Sequence, residues 1–515
     1  MNKHIMILKS SIVGFTALLL VSCTDLLDMN PKDQISSATF WKNQADADMA
    51  LAGVYSNLWL NTFNYYQMYW DVLGGDLWGA TASGGTNPNS ILAMGQIYAT
   101  SGGIVSSIYS DCYKGIAVCN FFLDNIDNTP ITDAIKEKYK GEVLFLRAFF
   151  YFTLTDFYGG VPLFTKPPTI DGAKVKQSPK EDVLNQIQAD LDAAIASLPN
   201  TDYSVTGKGH AVKGTALALK AKVCLFQQDW AGAVAATSQI MSDGQFNLCN
   251  NYSTMFLTVG QANNPEIIFS TRYLAPDYAQ PRYYQAEVQF IKDALINPRN
   301  ELVDEFECID GLPITSSPLY DGSTDSSRKM NRDPRLSLSI KTYAEAYIKS
   351  SGEEVIYNPT TTCETGWEPI KTLNADLIPV DMSTVCDEDW VLLRYAEVLL
   401  MYAEAKNEFS GPDQSIYDAI NAVRARPGIN MPPISTGLTK DQMRTRIQHE
   451  KRVEFCMEGK RYSDMKRWKL AETYFPTLKS PTGVQYVFNP SKNYVFPFPQ
   501  SEIDINPNLV QNPGY

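Results

Sequence analysis

Helical periodicity that stops and restarts is the feature that most constrains this chain. Apolar residues recur at three- and four-residue intervals over 111–126, 135–158, 179–197, 211–226 and 230–241, and again over 391–407 and 414–425. Each such stripe must be buried against a neighbouring element, so these segments predict packed helices. Between 244 and 389 the pattern lapses into Pro, Gly, Ser, Thr, Asn and Tyr, with short extended runs such as 266–271. That stretch is too long for a plain loop in a compact domain, and it predicts an irregular subdomain with functional potential. A second loop-rich stretch, 61–103, carries Tyr65, Tyr66, Tyr69, Trp70 and Trp78 among Gly, Ser and Asn. The expected architecture is mainly α. A helical scaffold over about 41–245 and 390–475 is split by loop-rich insertions at about 61–103 and 245–389.

Two helix pairs share a pattern. Ala221 and Ala233 flank the turn at Asp229-Trp230, and Ala403, Ala405 and Ala419 fall in comparable places in the later pair. Small residues at a helix contact beside a tight turn predict a tetratricopeptide-like repeat scaffold, with irregular spacing. The amino terminus reads differently. Lys3 and Lys9 precede an apolar run over 12–21, then Ser22 and Cys23. The run is too short to span a bilayer, and the order of features predicts a lipoprotein signal peptide over 1–22. Cys23 is the expected lipid-attachment residue of a mature chain over 23–515, exported and anchored rather than membrane-spanning.

The 515 residues carry a formal net charge of −13. With no concentrated basic stripe, this disfavours nucleic acid as a partner. Of the eight cysteines besides Cys23, Cys112, Cys119, Cys224 and Cys456 lie in or beside apolar helical patterns, which suits small buried hydrophobes. No C-x-x-C, H-E-x-x-H, G-x-S-x-G, Walker or dinucleotide pattern occurs. His210 and His449 are the only histidines beyond the leader. A helix-start role is expected for the first and a solvated or salt-bridged one for the second. No enzyme activity, cofactor or metal is expected. The densest charged run is 447–468, where Glu450, Glu454 and Glu458 recur every four residues and Arg461, Asp464 and Arg467 every three. Interleaved with Arg and Lys, that ladder predicts a salt-bridge lattice joining two helices rather than an anion or metal site.

A series of short motifs then resembles one family nearly end to end. They include Cys23-Thr24-Asp25, Phe40-Trp41, Gly53-Val54-Tyr55, Leu146-Arg147-Ala148-Phe149, Tyr158-Gly159-Gly160-Val161-Pro162, Arg394-Tyr395-Ala396-Glu397, Phe496-Pro497-Phe498-Pro499 and the terminal Asn512-Pro513-Gly514-Tyr515. In order and number they resemble the SusD/RagB outer-membrane lipoproteins of Bacteroidetes nutrient-uptake systems. The resemblance implies a non-catalytic surface lipoprotein. It would capture oligosaccharides or polysaccharides and pass them to a SusC-like TonB-dependent transporter; peptide capture of the RagB type is the alternative. A binding-only helical adaptor and a hydrolase are competing readings from other classes.

Sugar rings present apolar faces edged with hydroxyls, so a binder needs flat aromatics beside Asp, Asn, Gln or Arg. The first insertion supplies Trp70, Asp71, Asp76, Trp78, Asn87 and Asn89; the second supplies Arg272, Tyr278, Tyr283, Tyr284, Tyr320 and Trp367. From these, Trp78, Asp76, Tyr283, Tyr284, Tyr320 and Trp367 are the expected ligand-binding residues.

Overall fold

The computed structural model of the chain describes residues 40–81, 85–201, 209–281, 285–343, 345–360 and 363–515. Helix α1 spans Gln44–Tyr55, and the Asn43 side chain caps it by accepting the Asp46 N–H at 3.2 Å. Helix α2, Ile104–Asn125, begins before residue 111 because Ile104, Val105 and Ile108 extend the same buried face. Helix α3 (Asp133–Tyr158) packs on it, and Gly115 permits the approach: a Cβ there would meet the Phe150 ring at 2.5 Å. Helices α4 (Lys180–Ser197), α5 (Lys213–Gln227) and α6 (Trp230–Asp243) follow, each packed on its predecessor. Asp229 caps α6 through the Gly232 N–H at 3.0 Å, which fixes the tight turn between α5 and α6.

The helical stack resumes after the second insertion. Helix α7 (Tyr395–Ser410) packs on α6, and α8 (Gln414–Arg424) and α9 (Lys440–Glu454) pack on α7. Residues 391–394, expected as the start of a helix, are instead strand. Among the described residues, four two-stranded ribbons organise the non-helical segments. They pair β1 (Leu77–Gly79) with β3 (Ile296–Pro298), β2 (Ile267–Thr271) with β8 (Trp390–Arg394), β4 (Ile340–Thr342) with β7 (Trp367–Pro369), and β5 (Tyr347–Ile348) with β6 (Glu354–Val355). A short unbroken apolar run reads equally as buried strand or helix, and here the antiparallel partner β2 decides it. Among the described residues, no helix is long and apolar enough to cross a membrane. The eight cysteines beyond Cys23 are buried free thiols.

The charged run forms a buried lattice wider than a joint between two helices. Helix α9 ends at Glu454, so Glu458 lies in the turns beyond it rather than on its face. Arg335 donates to Glu450 at 2.7 Å and Glu454 at 2.8 Å. Arg394, at the end of β8, reaches Glu266 at 2.8 Å, Glu454 at 2.7 Å and Glu458 at 2.7 Å. Arg424 and Arg426, at and just past the end of α8, hold Glu450 at 3.0 Å and Glu454 at 2.9 Å. Burial alone would raise Glu450, but Arg335, Arg424 and Arg446 outweigh it and bring its pKa down to about 2. The lattice thus ties α8, α9 and the β2–β8 ribbon into one unit.

Candidate functional site

Two of the six residues expected to bind ligand have no open ring face. Trp78 is 0% exposed within β1, and its indole N–H donates to Glu364. Trp367 is equally buried in β7; its N–H donates to Asn300 at 3.0 Å, and the Arg328 guanidinium lies over the ring at 5.2 Å. Their burial follows from ribbon pairing: β1 pairs with β3, and β7 packs beside the same strand. Asp76 is buried too, its Oδ1 accepting from Arg452 at 2.9 and 2.6 Å. Tyr320 is half-buried with Arg332 over its ring at 5.4 Å. Tyr283, Tyr284 and Cys23 lie outside the described residues. The structure gathers Trp78 and Trp367 beside β3 as interior side chains, and leaves Asp76 within the charge network.

An open aromatic face occurs elsewhere. Trp59, at the end of the turn that follows α1, is 40% exposed, and Tyr278 is 58% exposed. Their ring centroids lie 6.0 Å apart with planes inclined at 34°. The Trp59 ring and the Tyr278 backbone are each anchored. The Trp59 indole N–H donates to the Arg272 carbonyl at 2.8 Å, and Leu274 and Tyr278 exchange backbone hydrogen bonds at 2.9 and 2.8 Å. The loop carrying Tyr278 is moored to the segment before β8, where Asp389 accepts the Tyr273 N–H at 2.8 Å and Asp387 the Ala275 N–H at 3.2 Å. A platform held this way loses little freedom when a ligand settles on it.

Arg272 joins the platform to a cavity of about 550 Å³ lined by Asn200, His210, Gln245, Asn264, Arg272 and Asp389, among others. That volume suits a small-molecule or oligosaccharide segment. A second cavity, between Trp70, Phe149 and Lys460, holds only about 90 Å³, too little for a sugar ring. Asp389 is raised to about 6 by burial, against the pull of the Tyr273 N–H and Arg272. The Arg272 side chain is half exposed and ion-paired to Asp389 at 3.2 Å, so it presents donors to solvent from a fixed position. His210 does not cap a helix, because α5 starts at Lys213; its Nδ1 instead meets Glu142 at 2.6 Å beneath Tyr55. His449 Nδ1 lies 2.7 Å from Glu305 Oε1.

Sequence reasoning had Arg272 and Tyr278 among its loop polar and aromatic residues, but it missed Trp59. That tryptophan sits between a helical stripe and a loop, a position where periodicity assigns no face.

Comparison with known proteins adds to this geometry. Residues 265–515 match the model described as the SusD family, and residues 26–225 match one described as starch-binding associating with outer membrane. The chain is 26% identical over 533 residues to SusD-like protein P38 of Formosa agariphila, covering 98% of this chain and 99% of that one. It is 26% identical over 444 residues to the starch-binding protein SusD of Bacteroides thetaiotaomicron, covering 77% of this chain and 76% of that one. A solved SusD-like carbohydrate-binding protein from Bacteroides fragilis superposes with a TM-score of 0.79 at 28% identity, covering 92% of this chain and 100% of that one.

Proposed function

The chain belongs to the SusD family, and from that premise we propose that it captures oligosaccharides at the outer membrane without altering them. Its helical scaffold holds the glycan-binding face, and Cys23 carries the lipid that tethers it. A SusC-like TonB-dependent transporter receives the captured chain. The observation that carries this reading is the Trp59–Tyr278 platform beside an amide-lined cavity. Two exposed rings at 6.0 Å and 34° offer stacking faces to neighbouring sugar units of a bent chain. Arg272 and the Asn and Gln side chains of the cavity supply donors and acceptors for the hydroxyl rims.

The test is calorimetry of the purified protein against a panel of oligosaccharides, with peptides of similar size as the second arm. Binding to at least one glycan, weakened at least about tenfold by Tyr278→Ala, is the expected result. Peptide binding with no glycan bound would overturn the reading, as would glycan affinity unchanged in both Tyr278→Ala and Trp59→Ala.

A further inference from the structure

The buried glutamates of this chain divide by their partners. Among the described residues, all but two face an arginine, lysine or histidine within ion-pair distance. The two exceptions are Glu287 and Glu388, which are 0% and 4% exposed. They sit together. One ligating atom from each, and the Sγ of the buried Cys386, all lie within 4.8 Å of one another.

The surrounding contacts hold the cluster in place without neutralising it. Asn374 donates its backbone N–H to Glu287 Oε1 at 3.1 Å and its side-chain amide to Glu388 Oε1 at 2.7 Å. The Oε2 atoms of both glutamates are buried and make no hydrogen bond. The Cys386 thiol donates to Gln285 Oε1 at 3.2 Å, which places an amide oxygen beside the sulfur. Gln280 fastens the backbone from behind, through its N–H to the Cys386 carbonyl at 2.8 Å and its side chain to the Glu388 carbonyl at 3.0 Å.

We propose that Glu287, Cys386 and Glu388 form a binding site for a divalent cation of the zinc class, with the Gln285 amide oxygen as the fourth donor. Two facing carboxylates away from water cannot both keep their charges without a cation; protons otherwise fill that place. A divalent ion meets both. The sulfur decides the class of ion: calcium and magnesium take oxygen shells of six or more, whereas zinc accepts four ligands that include thiolate. On binding, the thiol proton and every proton carried by the two carboxyl groups leave for solvent. One thiolate and two carboxylates then face the 2+ ion. Such an ion would join the segment at 285–288 to the approach to β8, beneath the loop that carries Tyr278.

The probe is Zn²⁺ added to the purified, chelator-stripped chain, with bound metal counted by mass spectrometry after dialysis. About one ion per chain is expected, released by chelator with a fall in thermal midpoint. Glu388→Gln keeps shape and volume, so it should retain the far-ultraviolet dichroism of the wild type while losing at least about tenfold in metal affinity. Cobalt substitution gives an independent readout: thiolate-to-cobalt charge-transfer absorption in the wild type, absent in Cys386→Ser. The proposal is overturned if the stripped wild type takes up no Zn²⁺. It is equally overturned if Glu388→Gln and Cys386→Ser both bind the ion as tightly as the wild type, or if bound cobalt shows no thiolate band.

Discussion

Trp59 and Trp78 are the same residue type in neighbouring stretches of chain, and the environments they meet give them opposite roles. Trp78→Ala removes a wholly enclosed side chain and should cost about 3–5 kcal/mol, read as a drop in urea midpoint. Trp59→Ala gives up a half-open ring and one hydrogen bond to a carbonyl. Its stability should stay within about 1 kcal/mol of wild type while glycan affinity falls at least about tenfold. Equal stability losses in the two variants would contradict this division. The sequence singles out Trp78 and passes over Trp59 for a physical reason. Both tryptophans lie among turn-forming residues, and Trp78 is buried by the pairing of three-residue β1 with a strand more than two hundred positions later. Nothing within a window of local pattern announces such a pairing. The aromatic and amide content of the insertions was legible as chemistry; which rings face solvent was not.

At the scale of elements, the long helices were legible because each carries its own apolar stripe, and their bounds agree with periodicity to within a few residues at most ends. The start of the 391–407 segment was misread because the four residues ahead of Arg394, from Trp390 to Leu393, are apolar on every face, which erases the difference between the two periods. The turn after α9 shows how a break is enforced. Gly459 adopts φ +70, and a Cβ there would stand 2.7 Å from the Gln67 carbonyl oxygen. Its N–H donates to Asp71 at 3.0 Å, and the N–H of Arg461, the first residue of the helix Arg461–Arg467, donates to the same carboxylate at 3.1 Å. Gly459→Ala must therefore strain the backbone and push against a main-chain atom at once. The expected loss is at least about 1–2 kcal/mol from the left-handed backbone alone, measurable as a lowered urea midpoint with an unchanged slope. A midpoint equal to wild type would show that this turn relaxes freely.

For the molecule as a whole, the charge lattice makes stability depend on acid. Glu450 is lowered to about 2 by its arginines, and Glu397, beside Lys222 and Lys460, also to about 2, in each case against the cost of burial. A carboxyl whose folded value lies below its unfolded one contributes stability that is complete above the unfolded value. The contribution drains away as pH falls from about 4.5 toward 2. Asp71 runs the other way. Burial raises it to about 7, so the folded chain holds a proton that the unfolded chain has already released, and this group favours folding more as pH drops toward 4. The wild-type curve therefore mixes two signs, and a difference between two proteins separates them. Glu450→Gln leaves Asp71 untouched and removes one ionisable member of the lattice. At pH 7 it leaves Arg335, Arg424 and Arg446 short of a buried charge, and should cost about 3–5 kcal/mol. Below pH 4.5 the unfolded wild-type chain takes up a proton at this carboxyl that the folded chain, with its value near 2, still excludes, so the deficit of the variant should shrink as pH approaches 2. Urea melts of both proteins from pH 7 down to pH 3 test this directly. A constant gap across that range would mean that Glu450 titrates like a solvent-exposed carboxyl, and that the lattice holds α8, α9 and the β2–β8 ribbon together through packing rather than through charge.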